Sequence, residues 1–257
     1  MKKLIFNEVL YSHKRCLEMG LKQSLDTPLI FLEEEELRLK IRENNELIDV
    51  FRKNVNSIFK QLKERYVFLL TDTDGYLLEM VYEKKIYNNL DKSGFKIGTS
   101  FKEESCGTNA ISLAMRLNQL VYLKPEQHYC NIFKEWYCIA IPLIIDDEII
   151  GYLDLSTIKD SMVDEMVVIV ELLAYKIVSD YIRMFGNKAK NSRVKLKEEQ
   201  LKVLKLVTKG YKDIVIAKEL GISINTVNYH KRNIFKKLDV RSTREAIAKA
   251  IRMGLIE

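Results

Sequence analysis

Two pairs of β-rich runs lie in the middle of the chain, and a short polar turn separates the members of each pair. The first pair covers residues 66–71 and 76–82, and the turn between them ends in Asp74-Gly75. An Asp-Gly turn between such runs is typical of a β-hairpin. The second pair covers residues 137–145 and 149–157. Together they predict an α+β domain in which helices pack on an antiparallel sheet.

Helical spacing occurs on both sides of the second pair. Residues 108–117 predict a short helix before a strand, residues 159–185 predict one long helix, and polar residues 186–191 predict a short linker. The long helix has an apolar stripe at Met162, Met166, Ile169, Leu173, Ile177 and Tyr181. Such a stripe either packs on its own sheet or joins two subunits, and both possibilities stay open.

Two further helical patterns flank a glycine turn within residues 210–238. Gly221 is predicted to end the first helix, because glycine enters a left-handed cap without a Cβ penalty. Ser223 or Asn225 can cap the second helix. The predicted inward-facing residues are Ile214, Ala217 and Leu220 in the first helix, and Val227, Ile234 and Leu238 in the second. This arrangement predicts a helix-turn-helix.

Flanking segments complete this domain with two more helices. Upstream, Leu201, Leu204 and Val207 form an apolar face at helical spacing. Downstream, Ser242 and Glu245 have capping-box spacing and open a last helix. Its apolar side consists of Ala246, Ile247, Ala250 and Ile251. The result is an all-α domain of four helices.

The net charge of the chain changes sign at the start of this four-helix domain. Residues 192–257 carry 16 Lys and Arg against 7 Asp and Glu, a net charge of +9. Residues 1–191 carry 26 against 29, a net charge of −3. The outward face of the second helix of the helix-turn-helix is polar and cationic, as entry into a major groove requires. Double-stranded DNA is therefore the predicted partner of the basic domain.

Composition excludes several other classes of protein. A length of 257 residues suits two domains. We find no apolar run long enough to span a bilayer and no secretory signal. Four widely spaced cysteines, Cys16, Cys106, Cys130 and Cys138, predict reduced thiols and a cytoplasmic location.

Residues 195–256 resemble the LuxR/GerE-type DNA-binding domain, on the motifs IA-x-x-L, IS-x-x-TV-x-x-H, KL-x-V, R-x-x-A and a terminal GLI. Two sets of contacts follow from this resemblance. Base contacts are expected from Asn228, Tyr229 and Arg232. Phosphate contacts are expected from Thr226, Lys231, Lys236 and Lys237. The resemblance also implies that the last helix pairs subunits through Ala246, Ala250 and Met253, although these residues can equally complete the core of one chain.

Residues 10–158 resemble the GAF domain of acetoin-operon-type activators. The motifs are GTNA at residues 107–110, Glu126-x-His128, Trp136-x-Cys138, Pro142 and GYLDLS at residues 151–156, with RCLEMGL before them. The resemblance implies a pocket for a small effector. Its predicted lining is Phe68, Leu70, Cys106, Asn109, His128, Trp136 and Cys138. Tyr137, Ile139 and Ile141 are expected to supply further apolar walls.

In that family an ATPase module usually follows the GAF domain. This chain has no G-x-x-x-x-G-K-[ST] phosphate loop, so we expect action through ordinary recruitment or occlusion of RNA polymerase. The start of the chain also lacks the acidic pair of a phosphorylated receiver domain. Aspartyl phosphorylation is therefore not the predicted input.

Metal, redox and thiol chemistry are the competing hypotheses for the first domain. His128, Cys130 and Cys138 do not follow a standard zinc spacing. A thiol reductase needs an exposed cysteine of low pKa, for which Cys106 is the best candidate. Asp72, Asp74 and Gly75 lack the remaining ligand positions of a calcium loop. We predict no metal, no cofactor and no catalytic residue.

The resulting architecture is an α+β GAF-like sensor followed by a four-helix LuxR-type helix-turn-helix domain. Its segments are an N-terminal helical segment at 1–40, the sensor at 41–158, a connecting helix and linker at 159–191, and the DNA-binding domain at 192–257. The predicted function is effector-controlled, sequence-specific transcription regulation by a homodimer, with no membrane partner. Two alternatives keep the DNA binding: the first domain senses redox or metal, or it serves only for dimerisation.

Overall fold

The computed structural model describes residues 2–62, 65–83, 86, 93–192, 196, 198–238, 240–252 and 255–256. The chain divides into two compact units, Met1–Met184 and Phe185–Glu257. The predicted segment 1–40 is thus part of the first unit. No helix in the described ranges is both long and apolar enough to cross a membrane.

The first unit is built on a five-stranded antiparallel sheet. Its strands are β1 (Tyr66–Thr71), β2 (Leu77–Tyr82), β3 (Val121–Leu123), β4 (Trp136–Ile145) and β5 (Glu148–Ile158). They lie in the order β2-β1-β5-β4-β3. Both predicted hairpins are present, β1–β2 and β4–β5, and the predicted α+β class is confirmed.

The two hairpin turns use the local chemistry that their residues favour. In the first, Asp72 Oδ1 accepts the backbone N–H groups of Asp74 and Tyr76, each at 2.9 Å. In the second, Asp146 and Asp147 both have positive φ, at 50° and 65°. Two central residues with φ above zero match the twist of the strands that they join. The carboxylate of Asp72 therefore stabilises the turn.

Helices cover both faces of this sheet. They are α1 (Lys2–Glu18), α2 (Glu34–Glu43), α3 (Asn45–Phe59), α4 (Glu103–Cys106), α5 (Ala110–Leu117) and α6 (Glu165–Ser192). On one face, α1 and α5 join an apolar core with Val67 and Leu69 of β1. On the other, Phe59 of α3 meets Phe68 edge to face, with ring centroids 6.1 Å apart. Successive residues of β1 thus serve opposite faces, as strand geometry requires.

Helix α6 differs from its prediction at both ends. It begins at Glu165 rather than at residue 159, and it continues to Ser192, so that residues 186–191 are helical rather than a linker. Within the predicted stripe, Met162, Met166, Leu173 and Ile177 are buried. The stripe therefore packs within its own chain, and the interpretation that it joins two subunits is wrong.

The second unit consists of α7 (Glu198–Thr208), α8 (Asp213–Leu220), α9 (Ile224–Leu238) and α10 (Thr243–Arg252). Gly221 ends α8 in the left-handed conformation, at φ 65° and ψ 30°, as predicted. Val227, Ile234 and Leu238 point inward as predicted. Ile214 was predicted inward but is 64% exposed, and Ile216 takes its place in the core.

The last helix starts at the predicted cap. Glu245 N donates to Ser242 Oγ at 3.2 Å, and Ser242 Oγ donates to the Glu245 carboxylate at 2.9 Å. Ala246 and Ala250 have no exposed surface within the single chain. They complete the core of one unit, so the hypothesis that they form a face for pairing subunits is wrong for both. Met253 lies outside the described residues.

Candidate functional site

The outer face of α9 is the candidate DNA-contact surface. Ser223 Oγ accepts the N–H of Thr226 at 3.1 Å, which caps the helix at its first turn. Because Val227, Ile234 and Leu238 turn inward, the opposite face is open: Tyr229 is 63% exposed, and Arg232 is exposed as well. No acidic residue occurs within α9. The helix therefore presents an aromatic ring and a guanidinium outward without a carboxylate of its own.

The other predicted DNA-contact residues occupy different environments. Lys236 and Lys237 are exposed in the last turn, whereas Asn228 is half-buried. Thr226 Oγ1 lies 2.8 Å from Ser223 Oγ at the start of the helix. His230 is half-buried, and its Nδ1 has no hydrogen-bond partner among the described residues. Its ring meets that of Tyr229 with centroids 5.7 Å apart.

Lys231 has a partner that sequence reasoning missed. Its Nζ lies 2.9 and 3.2 Å from the two carboxylate oxygens of Asp213. Asp213 is the first residue of α8, where a negative charge is favoured by the helix dipole. The pair joins the two helices of the helix-turn-helix. Lys231 is therefore part of the scaffold that orients α9, and its charge is already balanced.

A small cavity lies in the interior of the first unit, next to the sheet. Its volume is about 10 Å³, close to what a single water molecule needs. Its walls include the predicted Asn109, Trp136 and Cys138. Phe101 and Phe133 add aromatic walls, and their ring centroids are 6.4 Å apart. The cavity is thus mostly apolar, with a few convergent polar groups, as ligand pockets usually are.

Asp154 is the polar group that sequence reasoning missed. It lines the cavity from the GYLDLS motif, is 2% exposed, and accepts a hydrogen bond from Ser156 Oγ at 2.6 Å. Burial raises the pKa of this carboxyl to about 7. None of the salt bridges between described residues involves it. The signal in the sequence was an acidic residue between two leucines, Leu153 and Leu155, inside a β-rich run.

Asn109 is held firmly in the cavity wall. Its Oδ1 accepts the N–H of Ser112 at 2.8 Å, and Ser112 Oγ accepts the N–H of Asn109 at 3.2 Å, which caps α5. Its Nδ2 donates to the carbonyl of Phe101 at 2.8 Å. Asn109 therefore braces the start of the helix, and both ends of its amide are occupied.

Four of the predicted pocket residues do not line this cavity. Phe68 and Leu70 lie on the opposite face of β1, because Leu69 points to the cavity. Cys106 lies behind Asn109, with Sγ 3.7 Å from Nδ2. His128 stacks on Phe133, with ring centroids 5.2 Å apart. The same alternation in β4 turns Tyr137, Ile139 and Ile141 away and brings Trp136 and Cys138 to the cavity.

His128 is completely buried without a hydrogen-bond partner for either ring nitrogen among the described residues. Burial lowers its pKa to about 3, so the imidazole is neutral at physiological pH. The neutral ring packs against Phe133, which lines the cavity, and does not line the cavity itself.

All four cysteines are buried and free. Burial raises the pKa of Cys106, and it raises that of Cys130 to about 12. The reactive-thiol hypothesis for Cys106 is therefore wrong, since it needs an exposed thiolate. In the part of the chain that the structure describes, no three His, Cys, Asp or Glu side chains come together as metal ligands.

The N-terminal motif docks onto the GTNA motif. Arg15 forms a bidentate pair with Glu103, with Nε–Oε2 at 2.7 Å and Nη2–Oε1 at 2.6 Å. Ser12 Oγ lies 2.6 Å from Thr108 Oγ1. A Cβ at Gly107 would lie 2.5 Å from Glu103 Cα, so only glycine fits where these segments meet. Packing of these two segments within the chain therefore explains why the N-terminal motif and the GTNA motif occur together.

Comparison with known families agrees with this division. Residues 46–178 match the GAF domain family, and residues 195–250 match GerE, the bacterial regulatory proteins of the luxR family. The solved E. coli DhaR(N)–DhaL complex shares the fold, with a TM-score of 0.63 at 18% identity, over 72% of this chain and 64% of that chain.

Two curated relatives cover different shares of the chain. The signal-transduction and transcriptional-control protein of Clostridium beijerinckii is 29% identical over 161 residues, 61% of this chain and 25% of that protein. The acetoin dehydrogenase operon transcriptional activator AcoR of Bacillus subtilis (strain 168) is 20% identical over 227 residues, 88% of this chain and 38% of that protein. The matches thus span well under half the length of these relatives. The chain belongs to the GAF domain family and carries a LuxR-family GerE domain after it.

Proposed function

We propose that this protein is a transcription regulator whose second unit binds double-stranded DNA sequence-specifically and whose first unit senses a small effector. The observation that carries the DNA-binding part is the outer face of α9. It presents Tyr229 and Arg232 on a helix without acidic residues, in a unit whose sequence has a net charge of +9 over residues 192–257. Such a face fits the major groove and its phosphates.

In this proposal different residues of α9 contact bases, contact phosphates and hold the helix in place. Arg232 and Asn228 offer the bidentate geometry that guanine and adenine favour, and Tyr229 adds an exposed aromatic ring beside them. Lys236 and Lys237 neutralise phosphates. Lys231 keeps α9 in register with α8 through Asp213. Its removal should therefore disturb the helix-turn-helix as well as the DNA contact.

The test is a binding-site selection with the full-length protein, followed by affinity measurements at several salt concentrations. Arg232→Ala should relax the sequence preference at one base pair and cost about 1–3 kcal/mol there. Lys236→Ala is the matched control: it should weaken all sites alike and lower the salt slope by about one. An unchanged consensus for Arg232→Ala would contradict the assignment to bases.

The effector site is proposed at the interior cavity, where a hydrogen-bond donor of the ligand would face Asp154. The buried carboxyl, with its raised pKa, and the aromatic walls support this choice. Because the cavity holds about one water molecule, ligand entry requires the surrounding side chains to move. Effector binding would then shift α6 and so alter DNA affinity.

The small cavity also favours a second candidate, in which the first unit serves only for dimerisation. Native mass spectrometry of the purified protein separates the two. Extra mass that is lost on denaturation supports an effector. Bare mass, with no ligand found by metabolite screening and no loss of DNA binding in Asp154→Asn, supports the dimerisation-only function.

The remaining parts of the proposal concern partners. A homodimer would recognise a pseudo-palindromic operator, and RNA polymerase would be recruited or blocked there. The similarity to a transcriptional-control protein and to an operon activator supports this part of the proposal. The proposal contains no catalytic step and places the protein in the cytoplasm.

A further inference from the structure

One face of α6 carries large apolar side chains that no described residue of the first unit covers. Val168 is 55% exposed, Leu172 64%, Tyr175 75% and Ile182 45%. The opposite face, with Met166, Leu173 and Ile177, is buried in the core of the first unit. A helix on the surface of a monomer is normally polar on its outer side. This uncovered face, residues 168, 172, 175, 179 and 182, is called the outer stripe below.

The outer stripe has the spacing of a coiled coil. Its five positions follow one another at steps of four, three, four and three residues. That is the 3.5-residue repeat of positions d and a, which keeps a seam facing a second helix. Ser179 is the one small polar residue in the seam, and it is exposed.

The charges beside the outer stripe indicate both the occupant and its direction. With Leu172 at position a, Glu171 occupies position g and Lys176 occupies the following position e, and both are exposed. In a parallel pair of identical helices, g of one helix faces the following e of the other. Glu171 of one copy then meets Lys176 of the second copy, and symmetry makes this contact twice. In an antiparallel pair, g faces g and e faces e, so these two charges would not meet.

We propose that two copies of this chain associate through the parallel pairing of their α6 helices, with the outer stripe as the seam and Glu171 paired with Lys176 of the second copy. This inference rests on the proposed homodimer and names its surface, direction and register. The side chain of Lys176 already lies 3.4 Å from Asp180 in its own helix. Asp180 is buried and also accepts hydrogen bonds from Asn54 and Arg183, so its carboxylate keeps partners when Lys176 turns to Glu171 of the second copy.

The test measures the dimer dissociation constant of the full-length protein by sedimentation equilibrium at low salt. Glu171→Lys and Lys176→Glu should each weaken the dimer, by about tenfold, because each replaces attraction with repulsion at two places. The double variant should recover the affinity of the wild type. An equimolar mixture of the two single variants should form mixed dimers, since each single variant alone has two repulsive contacts and the mixed dimer has two attractive ones.

A second pair of variants tests the apolar seam. Leu172→Ser should weaken the dimer, by at least tenfold, whereas Leu17→Ser removes an equally exposed leucine from α1 and should leave it unchanged. A double charge variant as weak as the single ones, or a dimer indifferent to Leu172→Ser, would overturn the pairing while leaving a homodimer in place. A wild type that stays monomeric at all concentrations would overturn both the α6 pairing and the proposed homodimer. Binding-site selection on DNA tests the second unit separately.

Discussion

The two units differ in where their candidate functional polar side chains lie. Within the first unit, Asp154, His128 and Asn109 are buried among apolar and aromatic side chains. In the second unit the core is apolar, and Gln200 is the one buried polar side chain among the described residues there. Its functional candidates lie outside, on α9. The first unit is therefore suited to a ligand that must enter, and the second to a partner that it meets at its surface.

The difference in burial also affects how much a ligand stabilises each unit. A buried polar group needs a partner to offset its desolvation, so an interior site is stabilised by what fills it. An exposed recognition face needs only a firm scaffold beneath it. For α9 that scaffold is the apolar core together with the Lys231–Asp213 pair. Ligands should therefore change the stability of the first unit more than that of the second.

The largest effect is expected from the titration of Asp154. Its pKa is about 7 in the folded state and near 3.8 when unfolded. Between those values only the folded state holds the proton, so the contribution of Asp154 to stability falls as pH rises from about 4 to 7 and then levels off. His128, whose pKa is lowered to about 3, contributes with the opposite sign, so the effect of Asp154 is read as the difference between the wild type and Asp154→Asn. The loss is on the order of 4 kcal/mol. Asp154→Asn should abolish it and stabilise the first unit at pH 8.

The measurement for this prediction is urea unfolding followed by the fluorescence of Trp136. It is the single tryptophan of the chain and is buried in the first unit. Asp160→Asn, at an exposed carboxylate, is the control. If both variants kept the pH dependence of the wild type, the interior of the first unit would be no more sensitive than its surface.

A smaller effect is expected from the apolar core of the second unit. Ile216→Ala removes a fully buried side chain of α8 and should cost about 3 kcal/mol. Ile214→Ala, two residues away in the same helix, is the matched control and should cost less than about 0.5 kcal/mol. Hydrogen exchange of the α9 amides reports the loss. Trp136 fluorescence should not change, and equal costs for both variants would refute the burial assignment.

The smallest effect is expected at the cap of α9. Ser223→Ala removes the acceptor of the Thr226 N–H and should destabilise the first turn of α9 by about 1 kcal/mol. Ser223→Asn supplies another acceptor and should restore most of that loss. Amide exchange at Thr226 is the readout. An effect confined to DNA affinity, without faster exchange, would assign Ser223 to DNA contact instead.

Local chemistry made the turns and caps predictable from the sequence. Gly221, Ser223 and the Ser242–Glu245 cap each depend on a few neighbouring residues, and each is found where it was expected. The hairpins follow for the same reason. Elements that depend on one short segment are readable without knowledge of the rest of the fold.

Which side chains of a strand or helix point to the core was harder to predict, because some elements are apolar on every side. All six residues of β1 are buried, so alternation separates Phe68 and Leu70 from Leu69 but does not say which set faces the cavity. In α8, Ile214, Val215 and Ile216 follow one another, and helical period alone cannot choose among them. Asp154 was missed because its meaning depends on burial, which only the assembled sheet provides.

The docking of α1 through Arg15 has a practical consequence for dividing the chain. The GAF family match begins at residue 46, yet Val9, Cys16 and Leu21 belong to the core of the first unit. A fragment cut at that match would expose this core and leave the carboxylate of Glu103 without Arg15. A piece that keeps this core intact therefore includes α1, ahead of the boundary drawn by similarity. Expression trials of the first unit alone should keep α1.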